Sequence, residues 1–180
     1  MSFINNVLKV FVGDKSKKDV KALQPLIDQI NAFEKEMENL SHDALREKTH
    51  AFKKLLQEAT ANIQSEIESL KLEALNETDI DKNEDIYNKI DQLKEAQYSI
   101  TEKVLHDILP EAFAVVKETA KRFTQSEEIA VKASASDRKA AATKDYVNIQ
   151  EETAIWSTSW DAAGKKVKWD MIHYTVQLIG

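Results

Sequence analysis

Three glycines and two prolines are the only strong backbone breakers in 180 residues, and that scarcity constrains the fold more than any single motif. A chain of many tight turns needs Gly for left-handed backbone and Pro for preset bends. Without them, long helices and a few short hairpins are what remains. A hydrophobic share of 42% beside 31% charged residues supplies one ordinary core, or one core with an appendage, under a water-facing shell. The expected class is α+β, mainly α: N-terminal helices with a long helical hairpin, then a small antiparallel β insert.

The apolar spacing places the helices. Phe3, Ile4, Val7, Leu8 and Phe11 recur at helical intervals, with Asn5, Asn6 and Lys9 opposite, and Gly13 ends the stripe. A second helix is expected over about 17–39, with Ser16 and Asp19 as a capping pair and Pro25 as a kink or a restart. Leu40, Ser41 and Leu45 form a hydrophobic staple around an N-cap, so a third helix starts there. Ile63, Ile67, Leu70 and Ala74, then Ile86, Ile90, Leu93, Ile100 and Val104, keep coiled-coil spacing on both sides of an interruption, which predicts a helical hairpin. Its second arm, 83–107, spans roughly 37 Å at 1.5 Å per residue. Pro110 is expected to open a further helix over 111–123.

Beyond Thr124 the apolar period falls from 3.6 to 2. Ile129 with Val131, Tyr146 with Val147 and Ile149, Ile155 with Trp156, and Val167 with Trp169 mark short strands. Ser134-Ala135-Ser136-Asp137 is read as a loop and Ala163-Gly164 as a turn. Region 124–168 is therefore expected to be a small β insert with Trp156, Trp160 and Trp169 in its core.

Charge is unevenly spread. Residues 1–24 hold five Lys against two Asp, residues 25–107 hold ten basic against nineteen acidic side chains, and residues 108–180 balance. A basic, apolar N-terminus suits an anionic membrane surface or a partner, with Lys15, Lys17 and Lys18 beside the apolar stripe. Nucleic acid is disfavoured because no basic stripe with interleaved aromatics follows. The absence of cysteine excludes disulfides and thiolate metal sites. No cleavable signal and no run of about 18 apolar residues is found, so a cytoplasmic location is expected.

Enzymatic motifs are missing from the chain. His42, His50, His106 and His173 have no metal-ligand spacing. Asp79 to Asp85 imitates the start of a calcium loop, but its sixth and twelfth positions are Glu84 and Ile90 where Gly and a bidentate Glu are needed. No metal site and no catalytic residue is assigned. The carboxylates at 34, 36 and 38 are expected to be solvated.

Several stretches resemble the SecA family, the motor ATPases of bacterial preprotein translocation. They are Val7-Leu8-Lys9-Val10-Phe11-Val12-Gly13, Ile30-Asn31-Ala32-Phe33-Glu34-Lys35-Glu36-Met37-Glu38-Asn39-Leu40-Ser41, Leu45-Arg46-Glu47-Lys48-Thr49, Leu109-Pro110-Glu111-Ala112-Phe113-Ala114-Val115-Val116-Lys117-Glu118, Lys121-Arg122-Phe123 and His173-Tyr174-Thr175-Val176-Gln177-Leu178-Ile179-Gly180. They occur in the family's order and reach both ends of the chain.

The resemblance implies that 1–123 is a helical region carrying a hairpin insertion at about 60–107. It makes 124–168 the β insert and 169–180 the start of a P-loop, helicase-like motor domain that breaks off before its Walker A loop. Gln177 then belongs to an adenine-reading Q motif: a side-chain amide can pair with both the amino group and a ring nitrogen of adenine, which guanine cannot satisfy. Met171 and Tyr174 match positions flanking the purine. The complete protein is expected to use ATP with Mg, to push preproteins through the SecY channel complex, and to work on the cytoplasmic face of the bacterial inner membrane, with a homodimer allowed. This chain alone is expected to bind no cofactor and hydrolyse no ATP. Ile172 and Thr175 depart from commonly basic and acidic positions of the family. The competing reading is a free-standing helical interaction module that binds a partner helix or a membrane and no nucleotide.

Overall fold

The computed structural model describes residues 14–174 together with 177, with side chains from residue 21 onward. Three long helices come first: α1 (Asp14–Met37), α2 (His42–Asn76) and α3 (Ile80–Gln125). They are followed by β1 (Glu128–Lys132), α4 (Ala135–Ala141), β2 (Val147–Gln150), β3 (Thr153–Ser157), β4 (Ser159–Ala162) and β5 (Lys165–Lys168). The class is the one the scarcity of breakers predicts, mainly helical with small antiparallel sheets.

Two helix boundaries differ from expectation. α1 is already helical at Asp14, so Ser16 lies inside it, and Pro110 sits within α3 and does not start a helix. Pro25 lies inside α1, so of the two options expected for it the restart is ruled out. Each proline removes one backbone donor, to the carbonyls of Lys21 and His106, at a cost of about 3 kcal/mol. Burial just downstream offsets it: Ile27 and Ile30 follow the first proline, and Ala114, Val115 and Ala120 the second, all essentially inaccessible. Elsewhere the local signals hold. Ser41 Oγ accepts the Ala44 amide at 3.1 Å, as an N-cap does.

The chain divides into two compact units, Arg46–Leu109 and the residues flanking it on both sides. The first is the helical hairpin. Ile67, Leu70, Ala74, Ile86 and Ile90 form its buried seam, with Ile63 and Leu93 packed against it. Pairs between the arms, Glu66 with Lys89 and Gln64 with Gln97, run in opposite sequence directions and make the arms antiparallel. The turn between the arms is three residues long, 77–79, and the stretch Asp79 to Asp85 that imitates a calcium loop lies in α3 from Ile80 onward. The Asp79 carboxylate is used in capping, accepting the amides of Asp81 and Lys82 at 3.1 and 3.3 Å.

In the second unit, Glu34 meets Lys117 and Glu38 meets Lys121. Both pairs advance in the same direction, so the C-terminal halves of α1 and α3 run parallel. Glu34 is thus half-buried against a cation and not solvated as expected, whereas Glu38 is paired but still exposed. After α3, the order β1-β3-β2 gives a three-stranded antiparallel sheet with β3 central. The register pairs Ile129 with Trp156, Val131 with Ala154, and Val147 with Trp156. Ile129, Val131 and Ala154 form its core, against which Phe123, Ile149 and Trp156 pack. The three Trp are therefore not the core itself: Trp156, Trp160 and Trp169 are half-buried around it, with Tyr146 6.3 Å from Trp156 and 6.5 Å from Trp160.

The stretch read as a loop at 134–137 opens α4. Ser134 and Asp137 form a capping box, and the buried Asp137 also accepts the Trp156 indole N–H at 3.1 Å. The Ala163-Gly164 turn is present between β4 and β5, both residues having positive φ (51° and 77°), the geometry of a two-residue hairpin.

Candidate functional site

The resemblance-derived residues lie on the stretch that follows β5. Its entry is fixed by Thr158, which is fully buried between β3 and β4. Thr158 donates its hydroxyl to the Ser126 and Glu127 carbonyls at 2.8 and 3.1 Å and its amide to Glu127 at 3.0 Å, tying the sheet to the end of α3. Its carbonyl accepts the Trp169 amide at 2.8 Å. The Trp169 ring stands edge-on to Phe123 at 6.3 Å, and its indole N–H donates to the Met171 carbonyl at 2.8 Å. A chain without regular structure is thus pinned at 169 and 171.

Past that point Tyr174 and Gln177 are joined by two hydrogen bonds. The Gln177 amide donates to the Tyr174 carbonyl at 2.9 Å, and the Tyr174 amide donates to Gln177 Oε1 at 2.8 Å. The amide side chain is therefore held by a backbone donor, in an exposed position. Oε1 has a second lone pair, and Nε2 carries two donors. Met171 and Tyr174 are 50% and 72% exposed, Ile172 is half-buried, and His173 Nδ1 is buried with no hydrogen-bond partner. The stretch offers two open side chains and one oriented amide.

Of the other predicted contact residues, Phe3, Ile4, Val7, Leu8 and Phe11 lie outside the described residues. Lys15, Lys17 and Lys18 stand in the first turns of α1. No helix among the described residues is long and apolar enough to cross a membrane. Among the described residues no group of three or more His, Asp or Glu could hold a metal ion.

Sequence reasoning missed the polar cluster that holds this unit together. The Arg122 guanidinium donates to the Glu118 carboxylate at 2.7 Å and to the Met37 and Leu40 carbonyls at 2.9 Å each, and stands 3.1 Å from His42 Nδ1. Glu118 is only 4% exposed and is held by Arg122, with Lys121 3.9 Å away. The two carbonyls belong to the end of α1 and the turn after it, where orphan acceptors need a donor. Glu118 and Arg122 form an i, i+4 pair, a signal present in the sequence that does not say what else the arginine reaches.

Two exposed pairs add a pH dependence. The hydrogen bond from Lys121 holds the Glu38 carboxyl below its usual range, and the same bond raises Lys121. Lys168 lowers Glu127 likewise. A carboxylate depressed by folding contributes stability above its unfolded value, lost as pH falls through the folded value; a raised lysine contributes below its ordinary value and loses it as pH rises through the raised one. The unfolding temperature is thus expected to fall off on the acid side of the carboxylate range, and Glu38→Gln with Glu127→Gln to flatten that limb. Because these pairs face water, the effect is small and shrinks in high salt. An acid limb identical in wild type and variant would remove these pairs from the pH response.

Comparison with known proteins adds to this geometry. A family model described as the SecA DEAD-like domain matches residues 8–180. The chain is 58% identical over its whole length to the protein translocase subunit SecA of Flavobacterium psychrophilum and 58% identical to that of Christiangramia forsetii. It is 42% identical to the same subunit of Porphyromonas gingivalis. In each case it covers 16% of the relative's length. No solved structure matches.

Proposed function

The chain belongs to the SecA family, and on that premise we propose that it is the N-terminal part of an ATP-driven translocase motor that pushes preproteins through the SecY channel from the cytoplasmic face of the bacterial inner membrane. Its own contribution to the chemistry is the adenine end of the nucleotide site. The observation that carries this reading is the pair of hydrogen bonds between Tyr174 and Gln177.

A flexible glutamine would lose side-chain entropy on binding, of the order of 1.5–2 kcal/mol. Gln177 is held already by the Tyr174 amide. With Oε1 so engaged, its second lone pair can accept from the adenine amino group while Nε2 donates to a ring nitrogen. Guanine, with a carbonyl in place of the amino group, would face Oε1 with an acceptor. The side chains of Met171 and Tyr174 are open to pack on the purine faces. Binding of Mg and the phosphates falls to other parts of the complete protein. The basic, apolar 3–18 segment serves as a contact with the anionic membrane surface.

The test compares two proteins. The complete subunit is expected to hydrolyse ATP and to drive preprotein into inverted membrane vesicles, whereas the purified 180-residue chain gives no ATPase activity above a buffer control. Turnover by the chain alone would overturn the proposal, and a complete subunit whose transport needs no ATP would overturn it in favour of a helical interaction module.

A further inference from the structure

The distal end of the hairpin carries a surface that hairpin formation does not use. Around the turn at 77–79, Leu72, Leu75 and Ile80 stand 64%, 78% and 82% exposed, although Leu70, Ala74, Ile86 and Ile90 nearby are buried in the seam. Leaving three large aliphatic side chains in water forgoes about 1.5–3 kcal/mol each relative to burial. The charges there are also badly placed for local stability. Residues 66–91 hold nine acidic side chains against three Lys. α2 has no basic residue in its last turn, where the helix dipole favours one, and Glu73 and Glu77 oppose that dipole by a few tenths to about 1 kcal/mol each. Among the described residues, Glu73, Asp81, Glu84 and Asp85 are exposed and make no ion pair.

What could cover an apolar and acidic end is decided by charge. An anionic bilayer or a nucleic acid is repelled. A neutral apolar surface would desolvate the carboxylates without pairing them, which costs several kcal/mol per ion. We propose that the tip of the hairpin is a docking site for a cationic amphipathic helix of a partner protein. Leu72, Leu75 and Ile80 receive its apolar face, and Glu73 and Glu84 pair with its lysines or arginines at the rim.

The probe is a fluorescein-labelled amphipathic peptide of Leu and Lys, about 18 residues long and so roughly 27 Å as a helix, titrated by anisotropy into the intact 180-residue chain beside Leu/Glu and Ser/Lys counterparts. Only the Leu/Lys peptide should bind saturably, one to one, and more weakly as salt rises. Leu75→Ser with Ile80→Ser, and separately Glu73→Lys with Glu84→Lys, should each weaken it at least roughly tenfold. Leu55→Ser with Glu58→Lys, elsewhere on the same hairpin, should leave it unchanged. Circular dichroism should report full helicity in every variant, and Glu73→Lys alone should unfold no earlier than wild type because it relieves the dipole conflict. No saturable binding, equal binding of either counterpart, or the same loss in the Leu55/Glu58 variant overturns the proposal. So does self-association of the unliganded chain that the tip substitutions abolish, since the occupant would then be a second copy.

Discussion

Gln177→Ala in the complete subunit is expected to weaken ATP binding by roughly tenfold to a hundredfold while changing GTP binding by less than about threefold. The first figure follows from losing a buried hydrogen-bond pair worth about 1–3 kcal/mol, at 1.4 kcal/mol per decade of affinity. The second follows because guanine cannot use the same amide, so its removal costs GTP little. Gln177→Glu is the sharper variant. It keeps the acceptor for the Tyr174 amide, which the wild-type side chain engages at 2.8 Å, but removes the donor a ring nitrogen needs. It should therefore preserve that hydrogen bond and still lose ATP. Competition against a fluorescent nucleotide reads both. Equal losses for ATP and GTP in Gln177→Ala would remove the residue from base reading.

Arg122→Met is expected to destabilise the unit containing the sheet by about 3–5 kcal/mol, the range for breaking one side of a buried ion pair. At 2–4 °C per kcal/mol for a chain of this size, the unfolding temperature falls by about 10 °C. Glu118, only 4% exposed, would keep only the looser contact with Lys121 at 3.9 Å, and the carbonyls of Met37 and Leu40 would lose the donor that serves both. All three tryptophans of the chain, Trp156, Trp160 and Trp169, lie in this unit, so their fluorescence follows its unfolding without contribution from the hairpin. Adding Glu118→Gln removes the buried charge and should recover part of the loss, a coupling that a double-mutant cycle measures. A loss under about 1 kcal/mol in Arg122→Met would show that the cluster is solvated and holds little.

Much of the fold was legible in local chemistry. Ser41 caps α2, the coiled-coil spacing of Ile67, Leu70, Ala74, Ile86 and Ile90 is the hairpin seam, and Ala163-Gly164 makes the turn that its backbone conformation requires. Signals failed where a local rule met a tertiary contact that outweighed it. Pro110 marks a helix start by propensity, but buried packing downstream carries α3 through it. Ser134 and Asp137 were a capping box in plain letters, hidden because a Ser- and Ala-rich stretch between strands also reads as a loop.

At the candidate site, the sequence named Met171, Tyr174 and Gln177 only through resemblance. The structure puts Met171 and Tyr174 on an irregular stretch tied down by Trp169, with Tyr174 hydrogen-bonded to Gln177. Thr158, which anchors that stretch, carried no signal at all, since a buried threonine is defined by which carbonyls happen to lie above it.

The sequence by itself determined the mainly helical class, the hairpin, the place of the strands and the family, because each rests on periodicity, capping or residue identity along a continuous stretch. Only the tertiary structure decided that Arg122 joins α1 to α3, that Glu34 and Glu38 are paired, that Gln177 is held by a backbone amide, and that Leu72, Leu75 and Ile80 remain uncovered at an acidic tip. Those facts depend on which residues far apart in the chain come within about 3 Å of one another, or fail to, and hydrogen-bond geometry at that range is not written in any local pattern.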